Sequence, residues 1–459
     1  MLHIYHSHSK QKLPFTPLIP GKVGLYVCGM TVYDYCHIGH ARTMVSFDLI
    51  VRHLRASGFE VNYVRNITDI DDKIIQRATE NNESVSNLTT RFIEAMNHDA
   101  AQLNIAPPNH APRATDYVEP MIVMIKQLIA DGHAYVATNG DVLFDVATYP
   151  AYGTLSGQDL SKLRAGARVT VNDSKRDPLD FVLWKSAKPF EPAWETPWGL
   201  GRPGWHIECS AMSQALLGAH FDLHGGGHDL LFPHHENELA QSVCANHQPF
   251  VNTWLHTGFV QIDNEKMSKS LGNFFTIREV LEKFKPELVR YFLISAHYRS
   301  PIHYSDHALK QSGLALTRLY QALRDVKAAS TAEVTTGDFE MRFVAAMDDD
   351  FNTPEALGIL HELAREINRL KDQHDATANA YAALLLRLGQ RLGILMLEPE
   401  QFFQGSDNVD STQIEQLIQQ RLNARALKQW ASADAIRDQL LAMNIVLEDN
   451  ADGVKWKKI

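Results

Sequence analysis

The stretch of residues 24–42, GLYVCGMTVYDYCHIGHAR, constrains the fold of this chain more than any other. The apolar run at 25–27 predicts a short buried strand with Cys28 and Gly29 at its carboxyl end. After a polar, tyrosine-bearing crossing, a long amphipathic helix is predicted to start at residues 37–40. A strand, a loop and a helix start form the place where an open α/β sheet holds a nucleotide. Here that place carries histidines and cysteines instead of a glycine-rich fingerprint.

The length of 459 residues is too great for one hydrophobic core and predicts two to four domains. The net charge of −10 argues against broad nonspecific nucleic-acid binding, but it leaves room for a local basic stripe that binds RNA. No apolar run approaches the length of a membrane span, and the first residues lack the apolar segment of a signal peptide. We therefore expect a cytoplasmic protein with no membrane partner. Four cysteines are too few for a disulfide scaffold.

The apolar pattern along the chain predicts a mixed α/β architecture. Helical spacing over 41–57, with Gly58 suited to the C-cap, and a strand over 61–67 predict a parallel strand–helix–strand unit. Short strands and turns over 134–183 predict a β-rich insertion, because the αβ pattern resumes afterwards. Residues 277–395 are predicted to be almost entirely helical.

Three aspartates follow the predicted strand over 61–67, at positions 69, 71 and 72. Their spacing is compatible with a magnesium site. We favour instead a helix start, at which acidic side chains lie at the positive end of the helix dipole, with one or two contacts to a ligand.

A candidate metal site follows from His234 and Glu238, which lie four residues apart and share one face of a helix that Pro233 is expected to begin. Cys28 and Cys209 complete a four-ligand set if the fold brings them together. Ligands from separate elements, with no CxxC pair, fit a site that keeps one position open for substrate better than a closed structural finger. Taken singly, such a residue is more commonly a buried cysteine or a hydrogen-bonded histidine than a metal ligand. Three further residues compete for the same roles: His235, Glu236 and Cys36.

A candidate phosphate site lies at the helix start predicted for residues 37–40. His37 and His40 are three residues apart, where free backbone N–H groups and the helix dipole favour anions. Imidazoles there can donate hydrogen bonds to a polyphosphate and to the charge that develops as pyrophosphate leaves. Gly39 permits the close approach of a nucleotide. The tetrapeptide HIGH alone is a weak signal.

The segment KMSKS, residues 266–270, follows another predicted strand. Its lysines Lys266 and Lys269, on a serine-bearing loop, suit the clamping of a triphosphate in the transition state. Standing alone, the segment is better explained as a solvated surface loop. Its pairing with HIGH, in this order and about 230 residues apart, favours the phosphate role.

HIGH followed by KMSKS is the signature of the class I aminoacyl-tRNA synthetases, and both occur here without a substitution. Longer phrases resemble the cysteinyl-tRNA synthetases in particular, among them YDYCHIGHAR, GRPGWHIECS, FPHHENE and KMSKSLGNF. The resemblance extends from about residue 20 to residue 300 and continues in MDDDFNTPEA, residues 347–356.

The resemblance implies roles for individual residues. The implied zinc ligands are Cys28, Cys209, His234 and Glu238. The implied ATP-phosphate residues are His37 and His40, with Gly39 against the nucleotide and with the mobile-loop lysines Lys266 and Lys269. The implied ribose and amino-acid contacts are Gly225, Gly226, Gly227 and Asp229. The implied residues of a cysteine pocket are Thr68 and Trp205.

The resemblance also implies a two-step reaction, in which ATP activates L-cysteine to cysteinyl-adenylate and the cysteinyl group then passes to the 3′-terminal ribose of tRNA(Cys). The implied cofactors are one Zn²⁺ per chain and Mg²⁺ that arrives with ATP. The implied partners are L-cysteine, ATP and tRNA(Cys), and we expect a monomer. We hypothesise that zinc selects the amino acid, because a thiol deprotonates readily on zinc whereas a serine hydroxyl is a poorer ligand.

The implied fold is α/β: a Rossmann-like parallel-sheet catalytic domain with a β-rich insertion, followed by an α-helical bundle domain and a small C-terminal domain. The predicted boundaries are 1–115 for the first half of the catalytic domain, 116–200 for the connective insertion, 201–275 for the second half, 276–400 for the stem-contact region and helical bundle that bind tRNA, and 410–459 for an anticodon-recognition domain. Residues 454–459 combine Trp456 with three lysines, which suits either the binding of unstacked bases or a solvated basic tail.

Two other functions stay open at this point. A ligase with the same zinc site that joins cysteine to a small amine would not need residues 410–459, and their presence favours tRNA. A noncatalytic RNA-binding protein on a synthetase fold is disfavoured by the intact HIGH, KMSKS and metal positions.

Overall fold

The computed structural model describes residues 1–162, 175–189, 191–262, 265–266, 274–326, 336–404, 411–450 and 453–458. The chain divides into two compact units. The first comprises Met1–Leu314, Asp338–Ile359 and Arg391–Ile394, and the second comprises Ala315–Gly337, Leu360–Gln390 and Leu395–Ile459. Within the described ranges, none of the helices combines the length and the apolar character needed to span a bilayer.

The strands are β1 His3–His6, β2 Gln11–Pro14, β3 Lys22–Thr31, β4 Glu60–Thr68, β5 Ala134–Val136, β6 Val142–Phe144, β7 Phe181–Ser186, β8 Gly201–Pro203, β9 Phe221–Gly227, β10 Val251–Thr257, β11 Val260–Ile262, β12 Glu265–Lys266, β13 Ile302–His303, β14 Ile445–Asn450 and β15 Gly453–Lys458. The helices are α1 Ile38–Ala56, α2 Asp72–Glu80, α3 Val85–Gln102, α4 Val118–Ala130, α5 Trp205–Leu217, α6 Glu236–Asn246, α7 Ile277–Leu281, α8 Pro286–Ile294, α9 Asp306–Leu323, α10 Phe339–Asp348, α11 Thr353–Asp372, α12 Ala378–Arg391, α13 Pro399–Gln404, α14 Ser411–Ala426 and α15 Trp430–Ala442.

A four-stranded parallel sheet, in the order β10-β9-β3-β4, forms the centre of the first unit. Helix α1 connects β3 to β4, so these three elements form the parallel unit predicted from the sequence. Residues 25–28 of β3 are buried without interruption, because strands of a parallel sheet are covered on both faces. The α/β fold class is therefore confirmed.

Element ends follow the sequence signals in part. Helix α1 ends at Ala56, and Gly58 then takes a φ of +92°, which a glycine adopts without the strain of a side chain. Helix α6 begins at Glu236 rather than at Pro233. The residue before this proline, Phe232, is extended, with φ −140° and ψ 133°, because the proline ring disfavours the helical region there.

The β-rich insertion is an antiparallel sheet in the order β5-β6-β7-β8. The rings of Phe144 and Phe181 stack in its core with centroids 4.9 Å apart. The carboxylate of Glu236, at the start of α6, is buried and accepts hydrogen bonds from the backbone N–H groups of Gly153 and Ser156, each at 2.8 Å. These bonds attach the insertion to the helix that carries a predicted metal ligand.

The carboxyl-terminal part of the second unit is a hairpin of β14 and β15 that shares a hydrophobic cluster with α14 and α15. Trp456 is only 5% exposed and packs with Ile414 and Leu440. The Nζ of Lys457 lies 2.7 Å from a carboxylate oxygen of Glu448. The aromatic ring of residues 454–459 therefore belongs to a hydrophobic core and is not available to stack on a base.

Candidate active site and metal centre

A pocket of about 380 Å³ opens at the carboxyl edge of the parallel sheet. The ends of β3, β9 and β10 and the amino end of α1 form its walls, as expected for the ligand site of an open α/β sheet. The sequence-predicted residues that line it are Cys28, His37, Gly39, His40, Trp205, Gly227 and Asp229.

Four predicted metal ligands converge beside this pocket: Cys28 of β3, Cys209 of α5, His234 in the turn before α6 and Glu238 of α6. All four side chains are buried, and one donor atom of each lies within 4.8 Å of the others. Cys28 Sγ lies 3.5 Å from Cys209 Sγ and 3.2 Å from Glu238 Oε1. His234 Nε2 lies 3.0 Å from the same carboxylate oxygen. The sheet thus brings together cysteines that are 181 positions apart in the chain.

The buried groups of this cluster shift one another's pKa values in different directions. Burial opposes ionisation of Cys209, but hydrogen bonds with Cys28 and His234 outweigh it and lower the pKa of Cys209 to about 7. Burial likewise disfavours a charged His234, yet the Glu238 carboxylate and Cys209 raise the pKa of that imidazole to about 10. Burial, followed by its bond with Cys209, raises the pKa of Cys28 well above its usual value.

The donor set fits zinc. Two thiols, one imidazole and one carboxylate are ligands that zinc takes in proteins. Four ionisable groups that are buried with their donor atoms within 4.8 Å of one another are costly unless a cation binds them. We therefore assign Cys28, Cys209, His234 and Glu238 as the candidate zinc ligands.

Two of the competing residues have other partners. The Glu236 carboxylate holds the insertion, as described above, with a further bond of 2.7 Å from the Ser156 hydroxyl. Cys36 is buried, and its Sγ lies 3.7 Å from the Sδ of Met30. Neither belongs to a compact group of potential metal ligands in the described part of the chain.

His235 lies in a layer of histidines behind the candidate ligands. With Cys28 and His224 it forms a second compact group of donors. However, His224 Nε2 lies 2.9 Å from Glu238 Oε2, and His235 Nδ1 lies 2.7 Å from His256 Nε2. The second group has one thiol and three donors, so the four-donor group with two thiols is the better zinc site.

Because this layer contains buried histidines, we expect the free energy of unfolding of the protein to depend on pH. Burial, followed by the neighbouring His228, lowers the pKa of His256 to about 3, whereas a histidine in the unfolded chain has its usual value of 6.5. The unfolded state therefore binds the proton first, and the free energy of unfolding falls as the pH drops from about 7 towards 3. Between pH 7 and pH 5 the expected loss from this residue is about 2 kcal/mol. Denaturant titrations at both pH values measure it. The His256→Gln variant is expected to lose less stability between the two pH values than the wild type, and His303→Gln, at an exposed histidine, is expected to lose as much as the wild type. Equal losses in the two variants would contradict the assignment.

The HIGH histidines cap the helix that they begin. His40 N–H donates to His37 Nδ1 and His37 N–H donates to His40 Nδ1, both at 3.2 Å, and the rings stack with centroids 3.6 Å apart. This is a reciprocal capping box built from two imidazoles. Because each Nδ1 accepts a hydrogen bond, the proton of each neutral ring resides on Nε2, where it can be donated to an anion.

The three glycines at the end of β9 differ in whether they line the pocket. Gly227 lines the pocket together with Asp229. A Cβ at Gly225 would lie 2.2 Å from the ring of Phe47 on α1, and a Cβ at Gly226 would lie 3.0 Å from the ring of His235. The first two glycines therefore permit close packing behind the pocket, and their contact with ATP stays a prediction.

The two predicted cysteine-pocket residues also differ in whether they line the pocket. Trp205 is 40% exposed, lines the pocket and has its ring centroid 4.4 Å from that of the candidate ligand His234. Thr68 is 1% exposed, and its hydroxyl donates to Glu208 Oε2 at 2.7 Å. Of the KMSKS lysines, Lys266 is described only by its strand pairing with Gln261, and Lys269 lies outside the described residues.

Comparison with known protein families covers most of the chain. Residues 14–313 match the model for tRNA synthetases class I (C) catalytic domain, residues 342–396 match the DALR domain, and residues 411–456 match the cysteinyl-tRNA ligase anticodon binding domain. The chain is 58% identical over 460 residues to the cysteine–tRNA ligase of Shewanella amazonensis, covering all of both chains. It is 56% identical over 466 residues to that of Methylococcus capsulatus, again covering all of both chains.

The chain belongs to the cysteine–tRNA ligase family. It is accordingly a class I aminoacyl-tRNA synthetase, and a ligase. The resemblance stated from the sequence is thereby confirmed.

Solved structures of the wider class share the fold. A Mycobacterium tuberculosis methionyl-tRNA synthetase in complex with methionyl-adenylate superposes with a TM-score of 0.58 at 17% identity, covering 81% of this chain and 89% of the other. A ternary complex of a leucyl-tRNA synthetase from Agrobacterium radiobacter superposes with a TM-score of 0.56 at 11% identity, covering 84% and 87%. At these identities the likeness shows the fold alone.

The sequence analysis did not predict two histidines that contact the candidate zinc ligands. His206 Nδ1 lies 2.9 Å from His234 Nδ1, and His224 Nε2 contacts Glu238 as described above. Such contacts orient metal ligands. His206 lies three positions before Cys209 on α5, so helical spacing was an available signal. The sequence contains no such signal for His224, because its proximity to Glu238 depends on where β9 pairs in the sheet.

Proposed function

We propose that this chain is a cysteine–tRNA ligase, which activates L-cysteine with ATP to cysteinyl-adenylate and transfers the cysteinyl group to the 3′-terminal ribose of tRNA(Cys). The observation that carries this proposal is the convergence of Cys28, Cys209, His234 and Glu238 beside the pocket that His37 and His40 line. The full-length similarity to proteins named cysteine–tRNA ligase supports it.

The two sites divide the chemistry. Cys28, Cys209, His234 and Glu238 would hold a zinc ion, which would supply a Lewis acid that binds a thiolate more strongly than it binds the side chain of serine or alanine. Trp205 closes the pocket on the side of His234. The cysteine carboxylate attacks the α-phosphorus of ATP and pyrophosphate leaves, so no protein nucleophile is needed.

The amino end of α1 stabilises the charge of the phosphates in this scheme. Nε2–H groups of His37 and His40 donate to phosphate oxygens, next to the positive end of the helix dipole. Lys266 and Lys269 are proposed to close over the triphosphate, and Mg²⁺ arrives with ATP. Gly227 and Asp229 are proposed to contact the ribose, with Gly225 and Gly226 behind them, while Thr68 contributes to the cysteine pocket from its buried position.

The remaining proposals concern organisation. We propose five domains or domain parts, of which the last two bind tRNA: 1–115, 116–200, 201–275, 276–400 and 410–459. We propose a monomer that acts in the cytoplasm. A ligase that joins cysteine to a small amine, or a noncatalytic RNA-binding protein, receives no support from the matches to the catalytic and anticodon binding domains.

The test of the function is cysteine-dependent exchange of labelled pyrophosphate into ATP, followed by charging of tRNA(Cys). Exchange with cysteine but not with serine is expected. Exchange without charging would favour the small-amine ligase, and the absence of exchange from zinc-loaded protein would contradict the proposal.

Trp430 is predicted to contact the anticodon loop. It begins α15 and is 59% exposed, in contrast to the buried Trp456. Exposed aromatic rings stack on unpaired bases, and each such contact is worth about 1–3 kcal/mol. Trp430→Ala is therefore expected to lower kcat/KM for tRNA(Cys) about 10-fold or more and to leave pyrophosphate exchange unchanged.

The control for Trp430 is Leu441→Ala, which truncates another apolar side chain of the same helix that is 51% exposed. This variant is expected to charge tRNA normally. Normal charging by Trp430→Ala would exclude the ring from tRNA binding.

A further inference from the structure

Strand β3 contains a bulge at the candidate zinc ligand Cys28. The register between β3 and β4 is regular to Val27↔Arg65 and resumes at Met30↔Ile67, so β3 holds one residue more than β4 in this interval. A bulge of this kind takes a backbone group out of the ladder and redirects a side chain. Here the bulge contains the candidate zinc ligand Cys28.

The side chain of Asn66 completes the bulge. Asn66 Oδ1 accepts the N–H of Gly29 at 2.7 Å. A Cβ at Gly29 would lie 1.7 Å from the backbone oxygen of Asn66, so only glycine permits this approach of the two strands. The backbone next to Cys28 is thereby attached to β4.

The same side chain continues a chain of buried hydrogen bonds to helix α5. Asn66 Nδ2 donates to Thr68 Oγ1 at 3.4 Å, and Thr68 Oγ1 donates to Glu208 Oε2 at 2.7 Å. Asn66, Thr68 and Glu208 are all buried. The other carboxylate oxygen of Glu208 has no hydrogen-bond partner among the described residues, so the Thr68 hydroxyl orients this group.

Both ends of this chain of hydrogen bonds adjoin a candidate zinc ligand. Gly29 follows Cys28, and Glu208 precedes Cys209. We propose that Asn66, Thr68 and Glu208 are positioning residues that hold the two cysteine sulfurs at the separation zinc and the substrate thiolate require.

The part of this proposal that concerns the substrate thiolate rests on the proposed function. The part that concerns metal binding does not. Ligand positions must hold to within about 0.2 Å for a metal site to form well. Cys28 and Cys209 lie on different elements, and among the described residues no backbone hydrogen bond joins α5 to the parallel sheet. A fixed polar link between β3, β4 and α5 supplies the constraint that the fold otherwise leaves to side-chain packing. It also gives Thr68 a role that does not require it to face the pocket.

Thr68→Val is the main test, because it removes the hydroxyl while keeping the shape of the side chain. The matched control is Thr115→Val, which removes a comparable hydrogen bond, from Thr115 Oγ1 to Asp69 Oδ2 at 2.7 Å, that is not part of the chain from Gly29 to Glu208. Each protein is loaded with cobalt, and its thiolate-to-cobalt absorption and its loss of metal to a chelator are recorded. Steady-state exchange then gives KM for cysteine and for ATP.

Thr68→Val is expected to change the cobalt spectrum, to lose metal about 10–100-fold more readily and to raise KM for cysteine by a similar factor while KM for ATP is kept. Thr68→Ser is expected to restore the wild-type spectrum. Asn66→Ala is expected to resemble Thr68→Val, and the double variant to be no worse than either, because both break one chain.

An unchanged cobalt spectrum and unchanged metal retention in Thr68→Val would overturn the proposal, as would the same changes in Thr115→Val. If Thr68→Val does not fold, the spectrum of Asn66→Ala decides in its place. Should the wild-type protein show no cysteine-dependent exchange, the proposed function fails, whereas the cobalt and chelator measurements still decide the positioning role.

Discussion

Cys209→Ser is expected to abolish zinc binding and to reduce cysteine-dependent pyrophosphate exchange by more than about 100-fold, since loss of a direct ligand exceeds the 10–100-fold effect of losing an outer contact. The reason is local. Cys209 is the one thiol of the cluster whose pKa lies near neutrality, at about 7, because its bonds with Cys28 and His234 outweigh burial. A serine hydroxyl does not ionise there and is a poor zinc ligand. Zinc content by elemental analysis and exchange kinetics measure the two effects, and ATP binding is expected to remain.

The chain offers two matched controls for Cys209→Ser. Cys244 and Cys36 are buried cysteines outside the compact donor groups of the described residues. Cys36 also adjoins His37, so it tests whether proximity to the HIGH motif matters. Both Cys244→Ser and Cys36→Ser are expected to retain one zinc per chain. Full zinc content in Cys209→Ser, or its loss from Cys36→Ser, would contradict the ligand assignment.

The second large effect is expected at the HIGH motif, where capping and catalysis can be separated. Asparagine is a good N-cap residue and glutamine completes a capping box, so His37→Asn and His40→Gln preserve the hydrogen bonds at the start of α1. Each removes an imidazole Nε2–H. We expect exchange to fall about 100-fold or more in either variant, with the thermal midpoint of unfolding kept.

His37→Ala is the contrasting variant, because it removes both the N-cap side chain and the imidazole donor. It is expected to lose a similar factor in rate and also about 1 kcal/mol of stability. Thermal unfolding and exchange kinetics on the same preparations separate the two roles. Normal exchange in His37→Asn would show that this histidine only caps the helix.

Local structure and the set of candidate ligands were predictable. Apolar spacing predicts β3, α1 and β4, and Gly58 marks the end of α1 with its positive φ. These features depend on contacts between residues close in the chain. The four-residue separation of His234 and Glu238 similarly places both on one side of the helix start, even though α6 begins two residues after His234.

The choice among similar side chains was not predictable from spacing. His235 and Glu236 directly follow His234, yet His235 bonds to His256 and Glu236 bonds to the insertion. The same holds for tryptophans near the carboxyl end: the lysine-flanked Trp456 is a core residue, and Trp430 is the exposed ring. Strand alternation and helix phase decide which side chain is buried, and a change of one position reverses the result.

By itself the sequence determined the chemistry that this protein has available: two thiols, an imidazole and a carboxylate at separate elements, a histidine pair at a helix start, and motifs of one synthetase family. The tertiary structure decided which atoms meet. It placed Cys28 Sγ 3.5 Å from Cys209 Sγ across 181 positions and linked their neighbours through Asn66 and Thr68. Such distances are set by the register of β3 on β4 and by the packing of α5 on the sheet, and these depend on the whole buried core rather than on any local pattern.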